Sequence, residues 1–262
     1  MEPQRTYGVD DGSHNFSTLK HLAKSGKHYI HACNTPTVPT RAMLIGTCVA
    51  KIVLGQRPTG KPVICFPGDR RQGKTWDAFL EGNPGSEILT LPEWEEAEAV
   101  AQAVLAHPVA RARLDGARTE VSLSWEEGGI RLSTSGVDII SADGEALADL
   151  KTTTTVEPEA WQRQAFKMSY AQQLVFYRRG ARANGMPVTR GLYLLGVEVR
   201  PPYDVVELEM TEGMIDLAEK SISLWLEKLR VFKECDQWPG YAQASVPMPV
   251  PSWMRDDEEE DD

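Results

Sequence analysis

The sequence predicts an α/β fold: a central mixed β-sheet with an antiparallel meander, flanked by helices, and an α-rich N-terminal region. Three observations lead there. Helical patterning dominates up to about residue 115. Three short, partly alternating runs separated by turn signals then follow, and helix, strands and helix close the chain.

In "FSTLKHLAKSG", Phe16, Leu19 and Leu22 recur at helical spacing, and Gly26 reads as a stop, so residues 15–33 are expected as short helical pieces. "TRAMLIGTCVAKIVLG" is the next helix, with Thr40 capping its start and Gly55 its end. Segment 56–75, containing "GDRRQGK", reads as a loop by its proline and glycine content. "PEWEEAEAVAQAVLAH" opens with proline and places acids in its first turn, both favourable at a helix N-terminus. After Gly116, "EVSLSW", "GIRLSTSGVDII" and "EALADLKTT" are joined by "EEGG" and "ADGE", which read as hairpin turns. A long helix is expected from about Pro158 to Ala183, strands near 189–199 and 203–208, and a last helix from about Glu212 to Glu234.

Composition excludes several classes. With 41% hydrophobic and 25% charged residues the chain reads as globular, and no apolar run approaches the roughly 18 residues that span a bilayer. The N-terminal "MEPQRTYGVDDGSHNF" lacks the apolar core of a secretory signal, so the expected location is the cytoplasm, with no membrane partner. Cys33, Cys48, Cys65 and Cys235 form no C-x-x-C pair, which argues against a zinc ribbon and a disulfide framework and for buried free thiols. The net charge of −10 draws seven of its negatives from "DDEEEDD" at 256–262, so the body of the chain is nearly balanced and a local basic groove stays compatible with it. That terminal block is expected to be a disordered solvating tail, or an element that occupies a basic channel or meets a partner.

The chemistry concentrates in "ADLKTTTT". Asp149 and Lys151, two residues apart on a strand, point to the same side, and the "ADGE" turn brings Asp138 of the preceding strand towards them. Two facing carboxylates repel unless a cation lies between them, and an all-oxygen site suits Mg²⁺ or Mn²⁺. Lys151 would stand beside a water to be deprotonated or a phosphate oxygen whose charge needs stabilising. The chemistry suggested is metal-assisted phosphodiester hydrolysis; on the motif alone, a surface ion pair reads the same way. Glu120, opening "EVSLSW", is a candidate third carboxylate.

"GVDIISADGEALADLKTT" resembles the core motif of the PD-(D/E)XK nuclease superfamily, and within it the RecE-like exonuclease (exodeoxyribonuclease VIII) group. On the following helix "YAQQLVFY" sets Tyr170, Gln173, Leu174 and Tyr177 on one face, similar to that group's Q-x-x-x-Y signature. "LKHLAKSGKHY", the "GT" of Gly46 and Thr47, "GDRRQGKTWDAF", "LGVEVRPPYDVVELEM" and "CDQWPGY" are similar in order and spacing, so the likeness runs from about residue 15 to residue 254. It implies a restriction-endonuclease-like core over 116–255, an α-rich N-terminal part over 1–115 and the acidic tail at 256–262.

The resemblance also implies an activity: metal-dependent 5′ to 3′ digestion of linear double-stranded DNA from its ends. The single strand left would pass to a RecT-type annealing protein in recombination or repair, and copies of the enzyme would form a ring. Asp138 and Asp149 would hold the metal, with Lys151, Gln173 and Tyr177 completing the catalytic set and a glutamate such as Glu120 adding a ligand. Arg70, Arg71 and Lys74 are candidate phosphate contacts in a glycine-containing loop. The seven tryptophans read as core residues rather than base-stacking platforms.

Two departures qualify the likeness. Many relatives carry a metal-binding histidine in G-T-x-x-H, whereas "GTCVA" places Ala50 there, and alanine cannot bind metal. Another group then completes the coordination, or the alanine is an introduced inactivating substitution, or the chain is a weakened or silent member. His14, His21, His28 and His31 read as surface or packed residues rather than replacements. Val137 stands where the motif has proline. The alternatives to an exonuclease are a DNA-end-binding subunit with crippled cleavage and an endonuclease or flap nuclease of the same superfamily. The cysteines lack the clustering of its iron–sulfur branch.

Overall fold

The structure, a computed structural model, describes residues 12–35, 37–57 and 60–251. Its N-terminal part is helical: α1 (Phe16–Leu19), a 3₁₀ turn at Lys20–Ala23, α2 (Gly26–Asn34) and α3 (Arg41–Leu54). Gly26, expected as a stop, instead opens α2, because Ser25 accepts the His28 N–H and starts a new helix there. Thr40 caps α3 as expected, accepting from the Met43 N–H at 3.3 Å, and Gly55 ends it at φ 95, where a residue with a Cβ would be strained.

Segment 56–75 is not all loop. It contains β1 (Val63–Phe66), and α4 (Lys74–Gly82) starts at its end; β1 pairs in parallel with β2 (Glu87–Thr90). The partner lies more than twenty residues away, so local composition gave no sign of the pairing. α5 (Leu91–Ala106) starts on a capping box in which Glu93 accepts the Thr90 N–H at 2.9 Å, and α6 (Pro108–Leu114) leads to the main sheet.

That sheet has β3 (Arg118–Glu127), β4 (Ile130–Ile140), β5 (Ala146–Thr153), β6 (Gly191–Glu198) and β7 (Val205–Glu209), hydrogen-bonded in that order. β3, β4 and β5 form the expected antiparallel meander, β6 joins β5 in parallel and β7 closes antiparallel. The first hairpin turns on Gly128 and Gly129, both at positive φ, which two-residue hairpins favour. β4 and β5 are paired only at Ile139–Ala148 and Ile140–Leu147, and beyond those pairs the strands part.

The crossover from β5 to β6 is helical but is not the single helix expected over 158–183. It consists of α7 (Pro158–Lys167) and α8 (Tyr170–Ala183), separated at Ser169, whose left-handed φ of 61 cannot continue a helix. α9 (Glu212–Cys235) is the last helix among the described residues. Among the described residues no helix is long and apolar enough to cross a membrane.

Two apolar clusters flank the sheet. One joins Leu147, Leu192 and Leu194 to α1, α8 and α9 through Phe16, Phe176 and Trp225. The other joins Ala146, Ala148, Leu150 and Leu195 to α3 and α5 through Cys48, Val49, Val100 and Val104. Trp161 and Trp225 are buried, in keeping with a core role, whereas Trp76, Trp94, Trp125 and Trp238 are half-buried; Trp253 lies outside the described residues, as does the acidic tail. Of the thiols only Cys48 is buried; Cys33 and Cys65 are half-buried and Cys235 is exposed, because α9 ends at the surface.

Candidate active site

β5 alternates its side chains between the two clusters, so Asp149 and Lys151 share the side of Leu147, beneath α8. The Lys151 ammonium forms an ion pair with Asp149 Oδ2, as the two-residue spacing predicts. Continuing the β4–β5 register places Asp138 opposite Asp149, at the point where the strands separate. There Asp138 Oδ2 accepts the Leu150 N–H at 2.8 Å, using a backbone donor that the parted ladder leaves without a strand partner. Continuing the β3–β4 register likewise places Glu120 opposite Asp138. One row across three strands therefore holds Glu120, Asp138 and Asp149, with side chains 5%, 9% and 1% exposed.

Charges at such burial need compensation. Arg57, on the connection after α3, donates from Nε to Glu120 Oε2 at 2.5 Å and from Nη2 to Oε1 at 3.3 Å, and its Nη2 lies 3.7 Å from Asp138 Oδ1. Gly136 makes room for this pair: a Cβ there would fall against Glu120 Oε2 and 2.7 Å from Arg57 Nε. Burial raises the Glu120 carboxyl, and Asp138 adds to the rise while Arg57 opposes it. Burial also pushes the Asp149 carboxyl up, with Lys151 limiting the rise and Asp138 adding to it. For Lys151 burial acts downward, but the charges of Asp149 and Asp138 outweigh it and hold the ammonium protonated.

α8 supplies the rest of the setting. Gln173 Nε2 donates to Tyr177 Oη at 2.6 Å, joining the two residues of the expected signature. Burial, reinforced by the negative charge of Asp149, pushes the Tyr177 hydroxyl up to about 12, so it remains a neutral hydrogen-bonding group. The break at Ser169 lets α8 begin at Tyr170, whose ring lies 5.1 Å from Lys151 Nζ. On the N-terminal side Lys20 is held below its ordinary pKa first by burial and then by the charges of Lys151 and Lys24.

α3 covers the opposite face at the same end of the sheet. A Cβ on Gly46 would meet Thr152 Oγ1 at 3.0 Å, and Thr119 Oγ1 donates to the Leu54 carbonyl at 2.7 Å. Ala50, one turn beyond Gly46, is half-buried against the α3–α5 cluster. Arg70, Arg71 and Lys74 are all exposed, and Arg71 is engaged by Glu93 at 2.6 Å and by the Ile88 carbonyl at 3.1 Å. Arg71 therefore braces the α5 cap, which leaves less of it for a phosphate.

Asp138, Asp149, Lys151, Gln173, Tyr177 and Glu120 are thus brought to one region, and Arg70, Arg71 and Lys74 belong to another. Arg57 and Lys20 are additions. Arg57 follows a helix stop in a Pro- and Gly-rich stretch and belongs to no motif, so nothing local marks it. Lys20 belongs to "LKHLAKSGKHY", one of the segments that carried the resemblance.

The donor set fits a hard cation. Among the described residues Asp149 Oδ1 is buried with no hydrogen-bond partner, and Asp138 Oδ1 lies 3.7 Å from Arg57 Nη2. Among the described residues no group of three or more His, Cys, Asp and Glu side chains is arranged to hold a metal ion, so the fit is that of the Asp138–Asp149 pair, with Glu120 bound to Arg57.

Comparison with known proteins gives the family. The chain covers 92% of its length against 91% of a crystal structure of a protein from Eubacterium rectale described provisionally as an exonuclease, with a TM-score of 0.63 and 14% identity, a likeness of fold. A structure of LHK-Exo in complex with dAMP aligns over 75% of this chain and 96% of its own at 15% identity and a TM-score of 0.27. No curated protein matches. The model of a family described as a PDDEXK-like domain of unknown function matches residues 15–245, and with the acidic row and its paired lysine in place on β3, β4 and β5, the chain belongs to that family.

Proposed function

We propose that this chain is a deoxyribonuclease of the RecE-like kind that degrades linear double-stranded DNA from its ends, using Mg²⁺ or Mn²⁺ held by Asp138 and Asp149. The observation that carries the reading is the buried pair of facing carboxylates with an unpartnered oxygen, joined by an ion pair to Lys151, in a chain of the PDDEXK-like family. The likeness of fold to a provisional exonuclease supports it.

A bound divalent ion would supply charge neutralisation between the carboxylates and polarisation of the phosphodiester. The chain's own residues do the rest. Lys151 serves to orient or activate the attacking water and to stabilise charge on the phosphoryl oxygens. Asp149 holds that ammonium in place, and Tyr170 covers it. Gln173 and Tyr177 act as one hydrogen-bonded unit that positions Lys151 or the scissile strand. Digestion in the 5′ to 3′ direction, transfer of the single strand to a RecT-type annealing protein, a ring of copies and a cytoplasmic location belong to the same reading and rest on the sequence resemblance.

Ala50 motivates a second reading, a DNA-end-binding subunit whose cleavage is weak. One experiment separates the two: linear duplex DNA labelled separately at its 5′ and 3′ ends, and a closed circle, are incubated with Mg²⁺ or with chelator. Loss of the linear substrate alone, and only with metal, is the expected result, and the order of label release gives polarity. Retained binding to ends without cleavage would favour the second reading, and cleavage of the circle would overturn end-dependence.

A further inference from the structure

The acidic row holds a cation that belongs to no recognised motif. Three buried carboxylates, Glu120, Asp138 and Asp149, face two cationic side chains, Arg57 and Lys151. The two cations differ in their attachment. Lys151 is fixed on β5 between its neighbours and is mostly buried, whereas Arg57 is 37% exposed and stands on the connection between α3 and β1, outside any helix or strand. Arg57 touches both Glu120 and Asp138, and so its positive charge lies against one of the two carboxylates that would hold the metal.

We propose that Arg57 is a resident cation of the acidic centre which a divalent ion displaces, so that its guanidinium sets the metal affinity of the protein. The inference rests on the reading that Asp138 and Asp149 hold the ion. The charge balance supports displacement over coexistence. A divalent ion added beside both Arg57 and Lys151 would turn a site with one excess negative charge into one with an excess positive charge in a poorly solvated position. Exchange of Arg57 for the ion brings the same groups to neutrality. Displacement also releases Glu120, which accepts two hydrogen bonds from Arg57, to join the other two carboxylates. Gly136 is the built feature that lets the guanidinium lie there. The atoms a Cβ would strike belong to the ends of the flexible Glu120 and Arg57 side chains.

The test is calorimetric titration of the full chain with Mn²⁺, which reads affinity without activity. Arg57→Gln should bind Mn²⁺ at least tenfold more tightly than the parent chain. Asp149→Asn should abolish binding in either background. Unchanged or weaker binding by Arg57→Gln, while Asp149→Asn still abolishes it, overturns the inference and leaves the metal site standing. Binding that survives Asp149→Asn, or no binding by any variant, overturns both. Should Arg57→Gln fail to fold by circular dichroism, Arg57→Lys replaces it: a point charge without the guanidinium fork holds Glu120 less well, so binding tighter than the parent supports displacement and equal binding contradicts it.

Discussion

Glu120 has a backbone φ of 50, a value that a residue with a Cβ adopts at a cost of order 1–3 kcal/mol and that clusters at functional positions. It adopts it beside two buried acids and an arginine, where the surroundings determine the geometry. At the same scale the Gln173–Tyr177 bond makes a definite prediction. Tyr177→Phe deletes the oxygen that accepts from Gln173, so it should lower the unfolding free energy by about 1 kcal/mol in urea denaturation and slow cleavage by about tenfold or more. An unchanged midpoint would mean that the bond does not stabilise the fold. Asp138, Asp149 and Lys151 were legible because their placement follows from period-two alternation and one hairpin turn, both local properties. Arg57 was not, since its role exists only through a partner 63 residues away in sequence.

At the scale of elements, α7 is fixed by Trp161, fully buried and packed so closely on β6 that a Cβ on Gly196 would lie 2.7 Å from the indole. Trp161→Ala should cost about 3–5 kcal/mol, read by the same denaturation, and a loss under 1 kcal/mol would show that α7 is not anchored there. α3 offers the complementary prediction. The sequence resemblance implies a metal-binding imidazole at position 50, so on the proposed reading Ala50→His should tighten Mn²⁺ binding and raise cleavage, and no change in either would mean that α3 carries no ligand position in this chain. The helices and the meander were legible from caps, turn glycines and periodicity. The break at Ser169 and the strands β1 and β2 were not: serine carries no strong signal for a left-handed backbone, and a four-residue parallel strand needs a distant partner.

Across the whole molecule, a charged network ties the sheet to the two long helices of one face. Arg179 reaches Glu127 of β3 at 2.6 Å and Ser223 of α9 at 2.7 Å, and both Arg178 and Arg179 engage Glu219. Burial would raise the Glu219 carboxyl, but the two guanidinium groups outweigh it and hold it below its ordinary value of 4.5. A depressed carboxyl contributes stability in full above its unfolded value and loses it as the pH falls through the folded one. The stability difference between the parent chain and Glu219→Gln should therefore be largest near neutrality and shrink below pH 4.5; a gap that persists in acid would contradict this.

On the proposed reading, phosphodiester cleavage takes place at the acidic row and its lysine. It is tested most directly by comparing the parent chain with Lys151→Ala and Asp149→Asn on one end-labelled linear duplex, with Mn²⁺ and with folding checked by circular dichroism. Rates should be lower by at least about 10²-fold in both folded variants, with binding to DNA ends retained. Cleavage at the parent rate by either folded variant would contradict it.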